Sequence, residues 1–161
     1  MRNILLRNIF KYFAEVFKRE GEVLQSRCSF LELLILAILI NEGELHGYAI
    51  HKQIIEATQM QWKPSIGTIY RLLNEMAEKG LIARSAAGRR QVYAVTPQGT
   101  RYFADNSINP LTRRVGVIAT VLKALLSLAE KNPEVLTPQL KERLKALKKI
   151  LKQYSELLVE N

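Results

Sequence analysis

The stretch Lys63-Pro64-Ser65-Ile66-Gly67-Thr68-Ile69-Tyr70-Arg71 decides how the rest of the chain is read. The residue before a proline is pushed out of the helical region, so Lys63 is extended and a helix begins only after Pro64. Ser65 is its natural N-cap. From there Ile66, Ile69, Leu72, Leu73, Met76 and Ala77 recur at three- and four-residue spacing, one apolar stripe on a helix running to about Lys79. The opposite face carries Ser65, Gly67, Thr68, Tyr70, Arg71 and Asn74, which donate or accept hydrogen bonds. Free backbone N–H groups and the positive end of the helix dipole make the start of such a helix suited to phosphate.

Upstream, Ser29-Phe30-Leu31-Glu32 has capping-box spacing and opens a helix that ends near Asn41-Glu42-Gly43. After a short turn a further helix is predicted from about His46 to Thr58, with Tyr48, Ile50, Ile54 and Ile55 available for burial, and Trp62 is expected to anchor the following loop to the core. Downstream of Gly80 the period changes. Leu81 to Arg84 and Gln91 to Val95 are β-prone runs around a glycine-containing basic loop, a hairpin signal. Thr96-Pro97 starts another helix, expected to fade near Asp105-Asn106.

The flanks are helical in pattern. Residues 3–24 form a wide apolar face containing Leu5, Ile9 and Phe13. Asn109-Pro110 gives a fresh start signal, after which Leu122 and Leu125 belong to a seam stepping by fours and threes. Thr137-Pro138 opens a last helix in which Leu144, Leu147, Leu151 and Tyr154 continue the same alternation. These stripes are wider than one partner helix covers, so a second copy of the chain is expected on them. The resulting division is an N-terminal amphipathic helix at 1–25, a central domain at 26–104 and a C-terminal helical pair at 105–161.

Lys and Arg total 24 against 15 Asp and Glu, a net charge of +9, and the excess is spread over all three segments. That suits a polyanion partner such as nucleic acid. Cys28 is the only cysteine, which excludes an intrachain disulfide and fits a reducing cytoplasm. The longest apolar run, Phe30 to Ile40, is interrupted by Glu32 and falls short of the roughly 20 residues a bilayer span needs. Glu15, Glu20 and Glu22 weaken the reading of the N-terminal helix as a lipid-surface anchor, so no membrane partner is expected. Two histidines and one cysteine are too few for a zinc site of three or four clustered ligands, and no cofactor is implied. His46 is expected to cap a helix or pack. No catalytic constellation is present, and the scattered glutamates read as solvated helical faces, so an enzyme is the least supported class.

Three helices followed by a hairpin make a winged helix-turn-helix, mainly α with a small β-hairpin wing, flanked by N- and C-terminal dimerisation helices. In that arrangement the N-terminal residues of the third helix meet base edges. A protein-interaction module is the bland alternative, and Gly88-Arg89-Arg90 at the hairpin tip speaks against it, since paired guanidinium groups suit phosphate or a narrow minor groove. Candidate DNA contacts are Tyr48, Lys52, Lys63, Ser65, Gly67, Thr68, Tyr70, Arg71, Asn74, Arg89 and Arg90. The rival that keeps DNA is a weakly specific chromatin-type binder.

Leu45-His46-Gly47-Tyr48, Trp62 to Tyr70, Glu78 to Ile82, Gly88-Arg89-Arg90 and Val95 to Gly99 together resemble the signature of the PadR family of transcriptional regulators, over about residues 30–103. Glu44 and Ile66 stand where that family often has proline. The resemblance implies a homodimer on a pseudo-palindromic operator, usually repressing, sometimes released by a small aromatic effector. Phe10, Phe13 and Phe17 are the residues on which an effector pocket would rest.

Overall fold

A computed structural model describes residues 30–58, 62–88 and 90–158. The expected helix at 3–24, with Leu5, Ile9, Phe10, Phe13 and Phe17, lies outside these residues, as do Cys28 and Arg89. The described chain runs α1 (Phe30–Glu42), β1 (Leu45–His46), α2 (Gly47–Ala57), α3 (Ile66–Glu78), β2 (Ile82–Ala87), β3 (Arg90–Val95), α4 (Pro97–Lys131), a 3-10 turn at Pro133–Val135, α5 (Pro138–Gln153) and a 3-10 turn at Ser155–Leu158. Compact units divide at Pro110 and Leu111.

The first unit is organised by α3. Ser65 sits extended at the N-cap and its hydroxyl accepts from the Thr68 backbone N–H at 3.0 Å. Ile69, Leu72, Leu73 and Met76 are buried and pack with Ile35, Leu36 and Leu39 of α1 and with Ile50 and Ile54 of α2 in one core. The helix closes with paired backbone bonds from Gly80 N–H to the Ala77 carbonyl and from Leu81 N–H to the Met76 carbonyl, the Schellman pattern that a glycine at φ +70° permits. That turn feeds β2 directly. The Thr96 hydroxyl then lies 2.6 Å from the Gly80 carbonyl and accepts from Gly99 N–H at 3.0 Å, fastening the start of α4 to the end of α3.

Several local readings are corrected. The expected turn before α2 contains a strand, β1, so the hairpin becomes a three-stranded antiparallel sheet ordered β1-β3-β2, with Leu45 opposite Tyr93 and His46 opposite Val92. Two residues are too short to leave a periodic signal. His46 holds the backbone N-cap of α2 without a side-chain cap bond; its Nδ1–H donates to the Gln91 carbonyl at 3.2 Å. Ile66 is exposed, because a first-turn residue projects beyond the helices that cover Ile69. Trp62 is 41% exposed and meets the half-exposed Phe30 ring at a centroid distance of 6.4 Å, a surface contact instead of a core anchor.

Glu32 is no solvated glutamate. It is buried, its carboxylate 2.7 Å from the Lys79 ammonium and 3.5 Å from the Tyr102 hydroxyl, so α1, the end of α3 and α4 converge on it. Nor does α4 fade at Asp105: it runs on through Pro110, which removes one backbone donor while its fixed φ stays helical.

In the second unit Thr137 caps α5, accepting from Leu140 N–H at 3.3 Å. Among the described residues from Leu111 onward only Ala129 is buried. Leu122, Leu125 and Leu144 are half-buried, whereas Leu147, Leu151 and Tyr154 are exposed.

Candidate nucleic-acid interface

The polar face of α3 is built by its own periodicity. With Ile69, Leu73 and Met76 turned to the core, Gly67, Tyr70, Arg71 and Asn74 fall on one outward stripe at steps of three, one and three. Lys63 is exposed while Pro64 beside it is buried, and the Pro64 carbonyl accepts from His51 Nε2–H at 2.9 Å. That bond ties the loop entering α3 to the middle of α2. Thr58 Oγ1 lies 2.9 Å from the Ile54 carbonyl and 3.0 Å from the Trp62 carbonyl, bracing the same loop from its other end.

The candidate contact residues separate into distinct settings. Tyr70 leans across the start of α2: a Cβ placed on Gly47 would stand 2.6 Å from Tyr70 Cε1, so glycine is what lets the two helices approach. Tyr48, counted from the sequence among positions for burial, is 67% exposed. Tyr48, Tyr70 and Arg90 line one concave site of about 530 Å³ together with His46, Ala49 and Gln91. Arg90 thus comes from the wing to the base of α3. The Ser65 and Thr68 hydroxyls are 2.8 Å apart, so Thr68 is first of all a capping partner. Lys52 lies on exposed α2 surface 3.8 Å from Glu56, and neither it nor Lys63 lines that site.

Two residues of the stripe are held by neighbours. Arg71 donates to Glu75 at 2.6 Å, one helical turn away. Asn74 Oδ1 accepts from Arg84 Nη1 at 3.1 Å. Arg84, a strand residue opposite Tyr93, was not among the contacts read from the sequence. No periodic signal marks it, because only the packing of β2 beside α3 brings it to Asn74. Gln91, also unforeseen, accepts from the Tyr93 hydroxyl at 3.1 Å through Oε1. Burial above all, with Tyr70 nearby, pushes the Tyr93 phenol above its ordinary pKa, and the Arg84 cation opposes the shift.

The outward face is therefore a set of donors: the guanidinium groups of Arg71, Arg84 and Arg90, the Lys63 ammonium, hydroxyls and amide N–H groups. Glu75 is already paired with Arg71. Among the described residues no cluster of three or more His, Cys, Asp or Glu side chains is placed to hold a metal ion, and no helix is long and apolar enough to cross a membrane.

Three helices around one core, the third capped at an open N-terminus beside a β-hairpin, define a winged helix-turn-helix. Residues 35–105 match the sequence model of the Transcriptional regulator PadR-like family, so this segment of the chain is similar to a PadR-like domain. The chain is 38% identical over 77 residues to the transcriptional regulator YqjI of Escherichia coli K12, covering 47% of this chain and 37% of that protein. It is 26% identical over 97 residues to the transcriptional activator GvpE of Haloferax mediterranei, covering 59% of this chain and 46% of that protein. A solved transcriptional regulator from Clostridium thermocellum matches with a TM-score of 0.51 at 26% identity, covering 59% of this chain and 91% of its own. The chain spans less than half the length of the two curated relatives. The family and these relatives are transcriptional regulators, not enzymes.

Proposed function

We propose that the protein is a sequence-specific double-stranded DNA-binding transcriptional regulator, acting in the cytoplasm as a homodimer on a pseudo-palindromic operator and repressing the promoter it covers. The observation that carries this reading is the outward stripe Gly67, Tyr70, Arg71 and Asn74, flanked by Arg84 and Arg90 of the wing on the same surface of the unit. Phosphate contacts from Lys52, Lys63, Arg89 and Arg90 position the protein, and side chains of α3 read bases. Dimerisation is supported by the second unit, where exposed Leu147, Leu151 and Tyr154 surround almost no interior of their own. A small aromatic effector belongs to the same proposal, to be sought at Phe10, Phe13 and Phe17.

Selection from random duplexes tests the reading. An inverted repeat with half-sites about 34–36 Å apart, or a multiple of that spacing, is expected. Retention of duplexes without any shared motif would make the protein the weakly specific chromatin-type binder. No duplex binding at modest salt would overturn both. Transcription from a promoter carrying the selected repeat reads the sign of regulation: loss of transcript supports repression, and gain would assign the activity named for the Haloferax relative.

A further inference from the structure

We infer that Arg84 is a specificity-determining positioning residue: it holds the Asn74 amide with its oxygen toward the wing, so that Asn74 reads a base only as a hydrogen-bond donor. The inference rests on the DNA-binding reading above. A guanidinium group has donors and no acceptor, so the 3.1 Å contact from Arg84 Nη1 fixes which end of the amide faces it. Oδ1 is turned to Arg84, and the two Nδ2 hydrogens are left on the exposed stripe shared with Gly67, Tyr70 and Arg71. No described residue accepts a hydrogen bond from Nδ2.

The strand keeps this arrangement in place. Arg84 lies in β2 opposite Tyr93, which is fully buried, so the backbone beneath the guanidinium is fixed by the sheet. The consequence follows from base-edge chemistry. An unrestrained asparagine pairs with adenine in a bidentate way, accepting from N6 while donating to N7. That mode needs the oxygen aimed at the base. With Oδ1 held at the wing, the favoured partners are the acceptor edges, guanine at O6 and N7 or thymine at O4. Arg84 need touch no base to set this preference, because it acts through Asn74.

Selection from random duplexes with the full chain, comparing the unaltered protein with Asn74→Ala, Arg84→Met and Arg84→Lys, tests the idea. The base position read by Asn74 is the one whose preference disappears in Asn74→Ala. There the unaltered protein should select guanine or thymine, Arg84→Met should move the preference toward adenine by roughly tenfold in the base ratio, and Arg84→Lys, which still donates, should keep guanine or thymine. Circular dichroism confirms that each variant is folded. Should Arg84→Met fail to fold, Arg84→Gln takes its place, with a smaller shift in the same direction. Adenine at that position in the unaltered protein, an unchanged preference in the variant without the guanidinium, or no position lost in Asn74→Ala would each overturn the role of Arg84 while leaving DNA recognition standing. If the unaltered protein selects no motif, the sequence-specific reading falls together with this one.

Discussion

Replacing Lys79 with methionine probes the contact on which three helices converge. The Glu32 side chain is 5% exposed and that of Lys79 53%, with nitrogen and oxygen 2.7 Å apart. Breaking a fully buried ion pair costs about 3–5 kcal/mol, because the remaining charge is stranded. An exposed pair is worth about 0–1 kcal/mol. Here one partner is buried but keeps other contacts and the other is already half solvated, so Lys79→Met should cost about 2 kcal/mol, between those limits. The Tyr102 hydroxyl, 3.5 Å from the carboxylate, remains as a long, weak donor to it. A loss of that size lowers the melting temperature by roughly 10 °C in a domain of about 100 residues. Urea and thermal denaturation followed by circular dichroism measure it, and a double-mutant cycle with Glu32→Gln isolates the pair. Lys79 also stands at the C-cap of α3, where a cation favours the helix dipole by about 0.3–1 kcal/mol. That part persists in the Glu32→Gln background; the rest should vanish. A Lys79→Met loss below about 0.5 kcal/mol, or one undiminished by Glu32→Gln, would refute the view that a buried carboxylate fixes the end of α3.

Gly99→Ala should cost about 3 kcal/mol in urea denaturation, since its Cβ would stand 2.0 Å from the Leu81 carbonyl oxygen, a backbone atom that has little room to retreat. The Tyr93 phenol titrates higher folded than unfolded, so its contribution to stability is whole below the ordinary tyrosine pKa of about 10 and is lost as pH rises through the folded value. Tyr93→Phe should flatten that alkaline loss, measured as melting temperature against pH; an equal slope in both proteins would assign it to other groups. Substituting Arg89 and Arg90 with alanine should weaken binding to all duplexes and reduce the salt slope by roughly one unit per lost phosphate contact. Leu147→Glu with Leu151→Glu places charge on exposed apolar positions and should give a monomer in sedimentation, whereas an unchanged mass would remove that face from the dimer.

Much of the fold was legible because its punctuation is local. Ser65, Thr96-Pro97 and Thr137-Pro138 each open the helix expected of them, since a cap is made by groups three residues apart and owes little to the rest of the chain. The core face of α3 followed from spacing alone, Ile66 excepted, where the helix projects past its neighbours. The hairpin was equally visible, although Arg90 belongs to strand β3 and not to the loop at its tip. Pro110 misled for the same local reason that made the other prolines informative: its start signal is genuine, but a helix already under way absorbs the missing donor.

What only the tertiary structure decided are the contacts between elements. Arg84 meets Asn74 because β2 packs beside α3; Glu32 and Lys79 are 47 residues apart and meet because the fold brings α1 within reach of the end of α3; His46 finds Gln91 because β1 completes a sheet. In each pair the residues have no periodic or neighbouring relation, so nothing in the sequence of either announces the other. Sequence alone determined which residues face outward on α3. Which of their atoms already have a partner within the chain was settled by the side chains that the fold brings against them.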